Sequence, residues 1–128
     1  MLKSTKNDIV TQNTLISNFF GIFILHTNDS EITSNMINDS WEDGVLIDAF
    51  SNYCWNNSFV LNSVIYSGDD GMQIEDAHNS TFTKNTISNN DGDGVYLIGA
   101  SHNNSFYLNT IGNNGNDGID INLSLIHI

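Results

Sequence analysis

An asparagine recurs along the chain at a narrow range of spacings, and the same residue types surround each copy. The five copies are Asn13, Asn35, Asn62, Asn85 and Asn109, with steps of 22, 27, 23 and 24 residues. Apolar residues lie three positions before each asparagine and two positions after it. A glycine follows eight or nine positions later and opens a segment in which apolar residues alternate with others. Alternation with a period of two indicates a short β-strand after each glycine.

A repeat of about 20 to 25 residues made of short strands, without a helical segment, predicts a solenoid rather than a globular sheet. Successive coils stack, so equivalent positions are expected about 4.8 Å apart as parallel neighbours. We therefore expect Phe59, Phe82 and Phe106 to stack inside the solenoid, and the repeated asparagines to pair and satisfy turn carbonyls. The repeated glycine is expected to supply a positive φ or a close backbone approach at a corner. The predicted fold is all-β, a parallel β-helix of about five coils.

The pattern N-x-I-x-x-N-x-I-x-N-N-x-x-x-G-V-x-L resembles the repeats of the right-handed parallel β-helix superfamily, particularly its NosD-like members. These repeats are also described as carbohydrate-binding and sugar-hydrolase (CASH) domains, with a pectin-lyase-like fold. The resemblance covers residues 7 to 122 and implies a right-handed β-helix of a periplasmic, cell-surface or extracellular protein. Because the superfamily includes lyases, hydrolases, epimerases, adhesins and accessory proteins, the resemblance implies a fold and not an activity. NosD-like proteins are linked to copper-site maturation, but the sequence shows no Cys, His and Met cluster that would bind copper.

The sequence divides into a lead-in, a repeat region and a short tail. Residues 1 to 6 show no repeat feature and are expected to be disordered, and residues 7 to 122 form the repeats. The last six residues, LSLIHI at 123 to 128, read like a translated sequencing adapter, so we expect the natural sequence to stop near Asn122. The chain is then a truncated fragment, and its uncapped coils are expected to invite end-to-end self-association. The second coil is the longest, and its extra residues fall in DAFSNYCW, residues 48 to 55.

The charge balance limits the partners that the chain can bind. Fifteen acidic residues against three basic ones give a net charge of −12. Such a surface repels nucleic acid and anionic membranes, so a neutral glycan or a cation is the expected ligand. The sequence contains neither a signal peptide nor an apolar stretch long enough to span a membrane.

A row of acidic residues lies immediately before the repeated glycines. Its members are Asp43, Asp70, Asp93 and Asp117. Stacked one coil apart, these carboxylates would repel one another unless they point into water or a cation lies between them, and oxygen-rich clusters suit Ca²⁺. The alternative is that Asp-Gly is a favoured turn dipeptide with a solvated carboxylate.

Catalysis would need two acids at a defined separation across a groove. The segment GDDG at 68 to 71 is similar to a Gly-Asp-Asp segment of polygalacturonases, which makes Asp69, Asp70 and Asp93 the candidate catalytic residues. The companion Gly-His-Gly and Arg-x-Lys segments have no counterpart, and the chain contains no arginine. We therefore expect a non-catalytic module, structural or carbohydrate-binding. The alternative is a fragment of a carbohydrate-active enzyme, a polysaccharide hydrolase, lyase or epimerase, whose catalytic residues lie partly outside this chain.

Aromatic residues offer a surface on which a sugar ring could stack. The candidates are Phe50, Tyr53 and Trp55 in the long coil, with Tyr96 on an outward-facing strand position. The alternative is that the three rings of the long coil fold back over the solenoid wall and cover it.

Three further residues are expected to be packed or on the surface, although His78 or His102 could assist the candidate catalytic aspartates. Trp41 lies in the corner before a repeated glycine and is expected to be packed. His78 and His102 occupy matching turn positions on successive coils and are expected to lie on the surface.

Overall fold

A computed structural model describes residues 1 to 50 and 52 to 124 of the chain. The described residues form eighteen short β-strands joined by turns and bends, and they contain no helix. All pairings between the strands are parallel. Each coil contributes one strand to each of three sheets, so the chain is a β-solenoid, as the repeat predicts.

The three main sheets are named by position or by the residue that dominates their inner face. The Phe sheet contains β2 (Ile9–Thr11), β5 (Glu31–Thr33), β9 (Ser58–Val60), β13 (Thr81–Thr83) and β16 (Ser105–Tyr107). The Ile sheet contains β3 (Thr14–Ile16), β6 (Met36–Asn38), β10 (Ser63–Ile65), β14 (Thr86–Ser88) and β17 (Thr110–Gly112). The long sheet contains β1 (Leu2–Lys3), β4 (Ile22–Leu25), β7 (Val45–Asp48), β11 (Met72–Glu75), β15 (Val95–Gly99) and β18 (Ile119–Leu123). A two-stranded short sheet pairs β8 (Cys54–Trp55) with β12 (Ala77–His78).

The interior is a set of stacked rows of like residues. Phe59 and Phe82 stack with ring centroids 4.9 Å apart, and Phe82 and Phe106 with centroids 4.6 Å apart. The ring planes differ by only 12° and 6°. The predicted phenylalanine ladder is therefore confirmed, and its spacing is that of neighbouring parallel strands.

The repeated asparagines form a hydrogen-bonded ladder at the corner between the Phe sheet and the Ile sheet. The Oδ1 atom of Asn85 accepts the backbone N–H and the side-chain Nδ2–H of Asn62, at 2.9 and 3.0 Å. The Nδ2 atom of Asn85 in turn donates to the backbone oxygen of Phe59 on the preceding coil, at 2.9 Å. Asn62 and Asn85 are almost fully buried, so each side chain supplies the partners that buried turn groups require.

The repeated glycines act through close approach and not through a positive φ. A Cβ added to Gly71 would lie 2.6 Å from the carbonyl oxygen of Gly94 and 2.7 Å from Nδ2 of Asn90. The positive φ values belong mostly to non-glycine residues that precede the ladder positions, such as Asn79 at 50° and Lys84 at 55°. Of the two roles expected for the repeated glycine, the structure therefore shows the close backbone approach and not the positive φ.

The two ends of the repeat region differ from the expected boundaries. The lead-in, expected to be disordered, contributes β1, because Leu2 pairs with Ile24 at an inward-facing position. At the other end, β18 extends to Leu123, and the N–H of Ser124 donates to the carbonyl oxygen of Gly99 at 2.7 Å. The rest of the expected adapter-derived tail, residues 125 to 128, lies outside the described residues.

The extra residues of the second coil, 48 to 55, form a segment that we call the inserted loop. It leaves the long sheet after Asp48 and returns to the solenoid wall at β8. Ser51 is outside the described residues. The N–H of Asn52 donates to the carbonyl oxygen of Ala49, and His26 Nε2 lies 2.9 Å from the same oxygen. The loop is therefore anchored at both ends, and its return positions Trp55 against the wall.

Candidate functional site

The inserted loop carries three aromatic residues that remain accessible to solvent. Phe50 is 73% exposed, and Tyr53 and Trp55 are each 43% exposed. Between them, Cys54 is fully buried in the core, because strand alternation in β8 directs neighbouring side chains to opposite faces. The sequence therefore folds so that the loop rings lie on the outside of the wall.

Two of these rings pack against a histidine on the next coil. Trp55 stacks on the imidazole of His78 with centroids 4.6 Å apart and planes 19° apart. The Tyr53 ring lies at 83° to His78, with centroids 4.3 Å apart. On the coil after that, the ring of His102 lies 5.2 Å from His78. We call these four residues the aromatic cluster. Strand register explains it, because Trp55 pairs with His78 and His78 forms a bridge with His102.

His78 is the buried member of the aromatic cluster. It is 7% exposed, and its Nε2 atom has no hydrogen-bond partner among the described residues. Burial lowers the pKa of the His78 imidazole, the neighbouring His102 lowers that pKa further, and Asp76 acts in the opposite direction. The imidazole is therefore neutral at pH 7 and packs as an aromatic ring.

The loop rings fold back onto the wall, yet they also leave aromatic surface open to solvent. The imidazole of His78 covers one face of the Trp55 ring. On the preceding coil, Asn28 and Asp29 form hydrogen bonds with the Trp55 backbone. The N–H of Trp55 donates to Oδ1 of Asn28 at 2.8 Å, and its carbonyl accepts the N–H of Asp29 at 2.9 Å. A fixed ring with polar groups beside it is an arrangement that suits a sugar.

Tyr96 lies apart from the other aromatic candidates. It is on β15 in the long sheet, between Gln73 and Asp120 in register. Its hydroxyl oxygen accepts the Nδ2–H of Asn122 at 3.5 Å. The four candidate sugar-binding residues are therefore divided between the inserted loop and a different sheet, and only Tyr53 and Trp55 belong to the aromatic cluster.

The four aspartates that precede the repeated glycines form a second ladder, which we call the acidic ladder. The backbone N–H of Asp70 donates to Oδ1 of Asp43 at 3.1 Å. The N–H of Asp93 donates to Oδ1 of Asp70, and the N–H of Asp117 to Oδ1 of Asp93, both at 2.7 Å. The carboxylates of Asp43, Asp70 and Asp93 therefore each satisfy a backbone donor on the next coil, which gives these three residues a structural role at the corner.

Two carboxyls of the acidic ladder have strongly raised pKa values. Burial raises the pKa of Asp43 to about 7, opposed by the hydrogen bond from Asp70 and supported by the negative charges of Asp70, Asp69 and Glu42. Burial likewise raises the pKa of Asp70 to about 6, opposed by the hydrogen bond from Asp93.

A carboxylic acid with a pKa near 6 can act as a general acid, so Asp70 has the protonation behaviour that catalysis would use. However, Asp70 is only 6% exposed and its Oδ1 already accepts a backbone hydrogen bond. Asp93 is half-buried and bonded in the same way, whereas Asp69 is exposed. A catalytic use of these three aspartates stays a prediction.

The described residues do not fit a copper site. Over residues 1 to 50 and 52 to 124, no group of three or more His, Cys, Asp or Glu residues could hold a metal ion. Copper prefers thiolate, thioether and imidazole ligands. Cys54 is fully buried, and burial raises the pKa of its thiol, while Met72 lies in the core. His78 and His102 are adjacent but bring only two imidazoles. Calcium at the acidic ladder stays a prediction.

Sequence reasoning did not identify two features of the surface and wall. Trp41 was expected to be packed but is 73% exposed. The equivalent corner position on the next coil is Gly68, which has no side chain that could cover the Trp41 ring. His78 was expected on the surface but is buried between Trp55 and His102. The matching turn positions of the two histidines were the available signal for the aromatic cluster.

Comparison with known proteins gave one match. The family model described as "Periplasmic copper-binding protein (NosD)" matches residues 1–122. No curated protein and no solved structure matches the chain. A search of the described residues for a helix long and apolar enough to cross a membrane found none.

Proposed function

The chain belongs to the periplasmic copper-binding protein (NosD) family, and from this premise we propose that it binds neutral carbohydrate at its inserted loop. The family and the solenoid together support an exported, right-handed β-helix module. The periplasm is the expected location, with the cell surface as the alternative. The fold itself hosts many activities, so the proposal rests on the aromatic cluster.

One observation carries the proposal: three exposed aromatic rings lie within the single short segment where the repeat lengthens. The step between ladder asparagines is 27 residues at the inserted loop and 22 to 24 elsewhere. The surplus brings Phe50, Tyr53 and Trp55 to one stretch of the wall. Trp55 is held by stacking on His78, and a ring that is already fixed loses little conformational freedom on binding.

Charge favours a neutral ligand over an anionic one. With a net charge of −12, the module repels uronate-rich and sulfated polysaccharides at long range. Neutral hexose polymers present apolar ring faces that stack on Trp55, and hydroxyls that can donate to the carboxylate of Asp29. The Oδ1 atom of Asp29 accepts a hydrogen bond from Asn56 Nδ2 at 2.8 Å, which orients that carboxylate.

The copper named in the family description plays no part in this proposal. The donors that would hold copper are buried or are too few in one place among the residues described here. No step of carbohydrate binding requires a metal ion.

Titration calorimetry with a panel of soluble neutral polysaccharides tests the proposal. Linear glucans, mannans and galactans serve as neutral ligands, and polygalacturonate serves as the anionic comparison. We expect binding to at least one neutral polymer, and a loss of about tenfold or more in affinity for Trp55→Ala, which corresponds to at least about 1.4 kcal/mol.

Trp41→Ala is the matched control, because Trp41 is also exposed but lies in a different corner. It should leave the affinity unchanged. Equal losses in the Trp41 and Trp55 variants, or preferential binding of polygalacturonate, would remove the inserted loop as the site.

A further inference from the structure

We propose that His78 acts as an acid-sensitive latch for the inserted loop, so that protonation of the aromatic cluster releases Tyr53 and Trp55 and weakens carbohydrate binding. The latch itself depends only on contacts within the chain. Its effect on carbohydrate rests on the function proposed above, and the two parts are tested separately below.

His78 has no room in the folded wall for a charged imidazole. The ring lies between Trp55 and His102, with Tyr53 against it. Its Nε2 atom is buried and lacks a hydrogen-bond partner. Protonation makes both ring nitrogens donors, and a buried donor on a cation without an acceptor is strongly unfavourable.

The groups that face His78 offset only part of the cost of burying this cation: the stacked face of Trp55 attracts an imidazolium, whereas burial and His102 lower the pKa of His78. They are Asp76 on the same coil, His102 on the following coil and Tyr53 in the inserted loop. Asp76 favours the charged form, but its Oδ1 already accepts the N–H of Ala100 at 2.6 Å. The His102 imidazole lies one rung away, and its proximity lowers the pKa of His78.

The rings of Tyr53 and Trp55 depend on His78 because their ring contacts are with its imidazole and with each other. β8 has only two residues, and its partner in the short sheet is β12, which contains His78. On the other side of β8, the N–H of Trp55 donates to Oδ1 of Asn28, and the N–H of Asp29 donates to the carbonyl oxygen of Trp55. When His78 becomes charged, the ring contacts with Tyr53 and Trp55 are lost together and the two rings are released, while the buried Cys54 keeps β8 in the wall.

Tryptophan fluorescence tests the latch without any carbohydrate. The chain has two tryptophans, and Trp41→Phe leaves Trp55 as the sole reporter. In this background, acidification from pH 8 to pH 5 should shift Trp55 emission to longer wavelength, with a midpoint below about 6.5, the usual histidine value. Far-UV circular dichroism should stay constant over the same range, because the solenoid remains folded.

Two variants attribute the transition to the aromatic cluster. His78→Phe keeps an aromatic ring against Trp55 but cannot be protonated, so the emission shift should disappear. His102→Gln removes the neighbouring imidazole that lowers the pKa of His78, so the midpoint should rise. His102→Gln keeps the test decisive if His78→Phe fails to fold. An emission shift that persists in His78→Phe, an unchanged midpoint in His102→Gln, or a parallel loss of circular dichroism overturns the latch.

Calorimetry at pH 7.5 and pH 5.5 then separates the latch from the carbohydrate site. Weaker binding at pH 5.5 for the natural sequence, but not for His78→Phe, supports both. An emission shift without binding of any neutral polymer leaves the latch standing and refutes the proposed function. Binding that is equal at the two pH values refutes the regulatory role.

Discussion

Replacing Asp43 with asparagine should stabilise the solenoid at neutral and alkaline pH. Asp43 is 5% exposed, and its Oδ1 accepts the N–H of Asp70 at 3.1 Å. Asparagine preserves the shape and this acceptor, but it carries no charge. The substitution therefore removes the unfavourable burial of a carboxylate without removing the hydrogen bond.

The magnitude follows from the raised pKa of Asp43, about 7 against 3.8 for an unburied aspartate. Between these values the folded chain holds a proton that the unfolded chain has released. The free energy of unfolding is therefore highest below about pH 4, decreases as the pH rises towards 7, and is constant above. Each pKa unit corresponds to about 1.4 kcal/mol, which gives an upper limit of about 4 kcal/mol for this carboxyl. Asp70, with a pKa of about 6, adds to the decrease over the same range.

Urea denaturation at pH 4.5, 6 and 8, followed by circular dichroism, measures this effect. The natural sequence should be more stable at pH 4.5 than at pH 8, whereas Asp43→Asn should lose most of this difference and be at least about 1 kcal/mol more stable at pH 8. Asp117→Asn is the matched control, because Asp117 occupies the same repeat position but is exposed. A natural sequence that becomes more stable as the pH rises from 4.5 to 8 would refute the reasoning.

Three further predictions concern the ladders and the ends. Asn85→Ala should lower the free energy of unfolding by about 3 kcal/mol in urea titrations, because it leaves buried N–H groups of Asn62 and the carbonyl of Phe59 without partners; a change below about 1 kcal/mol would contradict this. Millimolar Ca²⁺ should raise the melting temperature no more than Mg²⁺ does, since the Oδ1 atoms of the acidic ladder accept backbone hydrogen bonds; a selective calcium shift would instead support the calcium site. The 128-residue chain should associate as its concentration rises, because the last coil exposes Ile121 beside an apolar recess of about 240 Å³; sedimentation should show less association for Ile121→Lys.

The interior of the fold could be predicted because each buried row repeats one kind of side chain, either apolar or asparagine. Phe82 has a phenylalanine above and below it, and Asn85 has an asparagine above and below it, so the alignment of the sequence with itself already gives their neighbours. The corners could be predicted less well. Their positive φ values fall on residues as different as Leu61, Tyr66 and Lys84, because a single left-handed residue turns the chain whatever its side chain. The identity of a corner residue therefore does not reveal its conformation.

The sequence analysis did not identify the aromatic cluster, because it assigned residues 48 to 55 as a whole to the extra length of the second coil. Trp55, His78 and His102 are separated by 23 and 24 residues, the same steps that separate the ladder asparagines of those coils. The residues are therefore in register with the repeat, and the insertion ends before Trp55. Sequence alone does not show where an inserted segment re-enters a solenoid, because the extra residues can be assigned before or after any polar turn.

The position of the insertion explains why Trp55 stacks on an aromatic ring on one side only. The row that contains Trp55 begins with Lys6 and Asn28 and continues after the insertion with His78 and His102. Polar residues therefore precede Trp55 in the row, and aromatic rings follow it. A ring at the boundary stacks on one side only, so its other face meets Asn28 and the neighbouring turn instead of another ring. A regular solenoid would repeat one residue type along this row. Here the row changes from polar to aromatic residues at Trp55, so its ring lies beside polar groups on one side.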